Sequence, residues 1–259
     1  MKNILIALCL LAGASTPASA ELTYTVHMAV QKSDAPSGAA NNPLIAMMGE
    51  TMMKQLLPSG GADLIYTVGE KGVRIEYLQA AMGQEEGSVN LSMPDGTLVV
   101  VNPKEQTYWK ITAPPAASMM KGEATVKPTG QFETVAGVKC EVVGFDWKMD
   151  LPIPESARAN LPPNFPTSLL MTGDTCIVKD QFQRYAELAS HGNVAGMLAA
   201  MGLDKVMQGG IVLRQSMRMA GMEMTSLVTK IGEQDVPASA FEIPAGYKEV
   251  PPPTGLGMK

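Results

Sequence analysis

The chain has 259 residues, 46% of them hydrophobic, with 20 Lys and Arg against 25 Asp and Glu and a formal net charge of −5. An acidic chain without a Lys/Arg cluster excludes nucleic acid and anionic headgroups as natural partners, because both are gripped by concentrated positive charge. A chain this long can bury about 70% of its unfolded surface, so a large core is feasible without a structural metal or a partner.

The start, "MKNILIALCLLAGASTPASA", has Lys2, an apolar run from Ile4 to Ala14, and then Ala18-Ser19-Ala20. This is the pattern of a cleaved secretory signal peptide, residues 1–20, with the cut expected after Ala20. The apolar run is too short to span a bilayer, and no other stretch is long enough to do so. Cys9 lies inside that run behind bulky Leu8, where lipoprotein processing would need small residues, so no lipid anchor is expected. The reading is an exported protein, periplasmic where the host has two membranes. Cys140 and Cys176 survive the cut, and in an exported protein two cysteines most often form one disulfide. Free buried thiols or a metal pair are the weaker alternatives, since no histidine lies nearby and the spacing fits no zinc pattern.

The first segment after the cut, "ELTYTVHMAV", alternates: Leu22, Tyr24, Val26, Met28 and Val30 on one face, Thr23, Thr25 and His27 on the other, as in a half-buried strand. "NPLIAMMGETMMKQLLPSGG" reads as a helix capped by Asn42 and stopped by Pro58 and Gly60, with Leu44, Met48, Met52 and Leu56 on one stripe. Turn signals then follow at short intervals: Gly69-Glu70-Lys71-Gly72, Pro94-Asp95-Gly96 and Asn102-Pro103-Lys104-Glu105. Strands separated by turns too short for crossover helices make an antiparallel meander. The Pro-rich stretch 151–166 is a surface excursion between two strands that bring Cys140 and Cys176 together. Residues 181–208 read as helix, broken near His191-Gly192-Asn193, and residues 251–259 as a disordered tail. Residues 21–250 are expected to form a single domain.

The stretch "QSMRMAGMEMTS" sits between two strand patterns. If Ala220-Gly221 is a two-residue turn, Met219 faces Met222 and Met217 faces Met224, so all four thioethers share one face. Arg218 then meets Glu223 on the other face. Three roles stay open for these methionines: irregular core filling, the wall of a cavity for a flexible apolar ligand, or a soft Cu(I) site. No Met run with His spacers supports copper.

An enzyme needs a placed acid, base, nucleophile or metal, and none is legible. The chain has two histidines, His27 on the polar side of a strand and His191 in a helix break. No nucleophile elbow, zincin spacing or phosphate loop is present. Arg74 and Glu76 share a strand face, where cross-strand ion pairing is the plain reading. Neither a catalytic residue nor a cofactor is expected.

Several blocks resemble the bacterial family known as domain of unknown function 4412. They are "VVVNPKEQTYWKI"; "VKPTGQFETVAGVKCEVVGFDW", with Thr129, Gly130, Ala136, Gly137 and Cys140; "GDTCIVKD"; and "VPASAFEIPAGYKEV", with Phe241, Pro244, Gly246 and Tyr247. The resemblance covers residues 62–250 and implies a LolA/LolB-type fold. That is an α+β body with a strongly curved, unclosed antiparallel sheet and helices on its concave face. It implies no ligand-contacting residue. Together these readings give a non-catalytic exported protein that holds a lipid or another hydrophobic small molecule between sheet and helices. Met217, Met219, Met222, Met224, Met48 and Met52 are the expected lining. A structural or envelope-stress interaction protein with a filled core is the alternative, and Cu(I) handling is a third reading. Protein partners are not legible.

Overall fold

The structure is a computed structural model and describes residues 19–33, 50–51, 56–111, 122–150, 167–190, 204–207, 209–219 and 221–253. Twelve strands form one sheet. They are β1 (Ser19–Lys32), β2 (Ala62–Gly69), β3 (Gly72–Tyr77), β4 (Val89–Ser92), β5 (Leu98–Asn102), β6 (Thr107–Ile111), β7 (Gly122–Val135), β8 (Val138–Asp150), β9 (Ser168–Val178), β10 (Ile211–Met219), β11 (Met222–Val236) and β12 (Lys248–Glu249). Two short helices, α1 (Gln183–Ser190) and α2 (Asp204–Met207), and a 3-10 turn at Ala238–Phe241 complete the described elements.

The spatial order is β12-β6-β5-β4-β3-β2-β1-β11-β10-β9-β8-β7. Chain neighbours are joined by tight turns whose chemistry is local. Gly69 and Gly72 close the β2–β3 hairpin. Asp95 accepts the Thr97 amide at 2.8 Å before β5, and the Asn102 side chain accepts the Lys104 and Glu105 amides before β6. Ala136 and Gly137 both take positive φ, 49° and 81°, between paired Val135 and Val138. That is the turn whose twist matches a hairpin. Every pairing is antiparallel except the two-residue contact of β12 with β6, which is parallel. β1 begins at Ser19, so the expected cut after Ala20 would trim its first two paired residues.

The sheet is open, ending at β12 and β7, and it is curved. Helix α1 packs on β2, β3 and β10. β3 and β10 lie four places apart in the order, about 19 Å across a flat sheet. A helix about 10 Å wide touches both only if the sheet bends around it. Phe182, Tyr185 and Ala186 beneath that bend pack with Leu22, Leu64, Val68, Leu213 and Val228 in the main core. A second cluster gathers Ala124, Phe145, Trp147 and Val206 of α2. A third, of Leu91, Val99 and Val101, is closed by Ile243 and Tyr247 from the C-terminal segment. In β8, Cys140 and Val142 join the main core, whereas Phe145 and Trp147, on the opposite face by alternation, join the second. A register shift between Val212 and Arg214 in β10 accommodates this exchange of faces.

The helix expected over 42–57 falls mostly outside the described residues; Glu50, Thr51 and Leu56 within it are helical. So do the Pro-rich stretch 151–166 and tail residues 254–259. Of the expected helix over 181–208, Gln183–Ser190 and Asp204–Met207 are helical, and 191–203, with the expected break at 191–193, lies outside the described residues.

Candidate functional site

The β10–β11 hairpin has Met217 opposite Met224 and Met219 opposite Met222, with Arg218 opposite Glu223 between them. The turn contains Gly221 at φ 79°, a conformation glycine adopts without strain. All four thioethers therefore lie on one face of the hairpin. Met222 is buried at 7% exposure, and Met217, Met219 and Met224 are half-buried. Met224 lies opposite Val30 of β1 and packs against the α1 core, while Met217 packs against the Phe145–Trp147 cluster. The methionine face thus joins two apolar clusters. Met48 and Met52 lie outside the described residues.

The opposite face of the hairpin is polar and tied across several strands. Arg218 meets Glu223 at 3.0 Å. Glu223 accepts from Ser216 Oγ at 2.5 Å and from Gln31 Nε2 at 2.9 Å. The Ser216 and Gln31 hydrogen bonds, with Arg218's charge, hold the Glu223 carboxyl below its ordinary range, although partial burial opposes them. Arg214 grips Glu133 through Nε at 2.8 Å and Nη2 at 3.0 Å, and contacts Asp174 through Nη1 at 2.5 Å. Burial disfavours its charge, but the two carboxylates outweigh this and keep the guanidinium above its usual value.

Cys140 and Cys176 form the disulfide, with Cα atoms 5.3 Å apart. Cys176 lies opposite Val142, so the bridge runs diagonally between β8 and β9. His27 Nδ1 lies 2.8 Å from Asp63 Oδ1, a half-buried cross-strand pair. Arg74 and Glu76 do pair, at 2.7 Å, but along β3 rather than across strands, which corrects the sequence reading. Their spacing of two residues puts both side chains on one face, within reach of each other.

A cavity of about 340 Å³ lies away from the methionines, between the end of the β7–β8 hairpin and the start of the α1 segment. Phe132, Glu141, Ile177 and Lys179 line it. Phe132 is 59% exposed, with Lys139 over its ring at 4.5 Å and Lys179 paired to Glu141. A mouth of this kind, bounded by an ion pair and by a cation over a ring, is a polar surface cleft rather than an acyl tunnel. Sequence reading also missed the aromatic inner side of β1–β6. There Tyr24 and Tyr66 stack with centroids 5.0 Å apart, and burial, then the neighbouring tyrosine in each case, pushes both hydroxyls far above their ordinary value. The alternation in β1 flagged Tyr24; nothing local reveals which strand carries its neighbour.

Among the described residues no cluster of three His, Cys, Asp or Glu side chains could hold a metal ion, and no helix is long and apolar enough to cross a membrane. Fold and site together define a class: an open, curved antiparallel sheet that carries helices against one face and half-buried thioethers on that face. No family model and no curated protein matches the sequence, so the likeness to domain of unknown function 4412 rests on its short motifs. Among solved structures the chain is similar to the crystal structure of the lipoprotein LppX of Mycobacterium tuberculosis. Identity is 11%, the match covers 83% of this chain and 88% of that chain, and the TM-score is 0.33. A likeness of that size transfers neither ligand nor activity.

Proposed function

We propose that the protein is a non-catalytic, exported binding protein that holds a lipid or another hydrophobic small molecule against the helix-bearing face of its sheet, with residues 21–250 acting as one domain. The observation that carries this reading is the half-buried state of Met217, Met219 and Met224 on the face that also bears α1. A filled core shuts such side chains away, whereas a cavity wall leaves them partly open. Unbranched thioethers adapt to guests of irregular shape at little cost in strain. Met48 and Met52, from the helical stripe expected in the sequence, are proposed as further lining. One observation favours the runner-up, a structural protein with a filled interior: Met222 is buried, and Met217 already has Phe145 and Trp147 as neighbours.

A fluorescent fatty-acyl probe separates the two. In the binding reading, the parent protein takes up the probe, and Met219→Asp and Met224→Asp, which place a charge on the wall, reduce affinity by tenfold or more while circular dichroism stays unchanged. Absence of uptake by the parent, or uptake indifferent to both charges, supports the filled interior.

A further inference from the structure

Five buried polar side-chain atoms among the described residues have no hydrogen-bond partner, and three of them are Asn90 Oδ1, Trp109 Nε1 and Thr107 Oγ1. Register carries one row across six strands, through Tyr24, Tyr66, Ile75, Asn90, Val100 and Trp109. Residues directly opposed in a sheet share a face. Tyr24 and Tyr66 pack against the α1 core, so Asn90 and Trp109 lie on the helix-bearing face as well. Thr107, two residues before Trp109 in β6, belongs to the same side.

An unpaired polar atom shut away from water forfeits the hydrogen bond that water gave it in the unfolded chain. Buried polar groups elsewhere are nearly always matched, by protein or by an ordered molecule. The three orphans therefore call for a visitor. Their chemistry narrows what it is. Trp109 Nε1 can only donate, so the visitor brings an acceptor. Asn90 Nδ2 donates to Tyr77 Oη at 3.2 Å, leaving the other end of the amide unpaired. None of the six residues in the row is charged, and the neighbouring row from Leu22 to Ile111 holds no Asp, Glu, Lys or Arg either. Among these described residues a carboxylate would meet no cation and an ammonium no anion, and either would shed its hydration uncompensated. The stacked Tyr24–Tyr66 pair continues the row toward Ile231 of β11, the strand that carries Met222 and Met224, and offers an apolar path for a chain attached to the polar group.

We infer that the row centred on Asn90 and Trp109 receives the carbonyl of an uncharged acyl ester or amide, whose hydrocarbon chain lies over Tyr24 and Tyr66. This rests on the binding function proposed above and specifies the ligand as neutral and carbonyl-bearing. Trp109 Nε1 donates to the carbonyl oxygen. Asn90 holds its free amide end ready for a hydroxyl or N–H on the same headgroup.

The test compares methyl laurate with laurate, read by competition against the fluorescent acyl probe and by the indole N–H signals in a ¹⁵N-correlation spectrum. The chain has two tryptophans, so two signals are expected, and contacts to Val100 identify that of Trp109. Methyl laurate shifts the Trp109 signal and binds more tightly than laurate; Trp109→Phe weakens the ester about five- to tenfold and leaves laurate unchanged. If ester and acid compete equally, or the Trp109 N–H ignores the ester and exchanges with water alone, the inference falls while the binding function stands. If neither displaces the probe and the parent fails to take it up, the binding function falls and this inference with it.

Discussion

Glu133 of β7 and Arg214 of β10 lie three strands apart in the sheet order and are joined by a two-point ion pair. Glu133 is the register partner of Cys140 and Arg214 that of Cys176, so the pair spans the two strands that the disulfide joins. Across a flat sheet those strands would stand about 14 Å apart. The bridge is a second sign of the curvature that α1 reveals. β7 is an edge strand bonded only to β8, and the arginine fastens it to the middle of the sheet.

Arg214→Ala should lower stability by about 1–3 kcal/mol, because it leaves Glu133 and Asp174 without their common cation. Arg214→Lys should recover only part of this, since an ammonium cannot match both carboxylate oxygens of Glu133. Urea unfolding of the oxidised proteins measures it. Equal midpoints for all three would show that the pair is a surface ornament.

The Cys140–Cys176 bridge closes a separation of 36 residues. In the chain-entropy account that stabilises the fold by about 3–4 kcal/mol. A Cys140→Ser, Cys176→Ser protein should therefore unfold at clearly lower urea concentration. Thiol labelling of unfolded, unreduced parent protein should find neither Cys140 nor Cys176 reactive; two reactive thiols contradict the bridge.

Glu223 makes stability depend on pH in a defined direction. Its carboxyl is held below the ordinary value of 4.5, first by Ser216 and Gln31 and then by Arg218. A group whose folded pKa is depressed contributes stability above its unfolded pKa and loses it as pH falls through the folded one. The parent should accordingly be more stable than Glu223→Gln at neutral pH, by about 1 kcal/mol, and the difference should shrink below about pH 4.5. Melting curves across that window test it; a gap that stays constant or widens on acidification contradicts the sign.

Gly173 is where two strands and a ring meet. A Cβ there would stand 2.0 Å from the Ser216 carbonyl oxygen and 2.9 Å from the Phe145 ring. Backbone cannot yield as a flexible side chain can, so Gly173→Ala should part β9 from β10 and unseat Phe145. A loss of several kcal/mol or failure to fold is expected, read by amide exchange at Met217 and Arg218. Parent-like protection would show that the strands have room to shift.

The local grammar of the fold was legible. Gly69-Gly72, Asp95-Gly96 and Asn102 mark turns by chemistry that depends only on near neighbours, and the chemical symmetry about Ala220-Gly221 fixes the register of Met217 and Met224. What could not be read is set by distant contacts. β1 lies between β2 and β11, pairing Tyr24 with both Tyr66 and Ile231, and no spacing in the chain encodes that choice. The shift between Val212 and Arg214 is equally silent, because a bulge answers to what lies on the two faces of its neighbours. The same holds for Asn90 and Trp109, which resemble any strand residues until the register lines them up.

The central claim, that the helix-bearing face holds a hydrophobic guest, is tested most directly by native mass spectrometry of protein purified from an exporting host. The account predicts a species heavier than the bare chain by the mass of one neutral acyl lipid, released on gentle activation and absent from Met224→Asp. A single bare mass under the mildest conditions, in parent and variant alike, would contradict it.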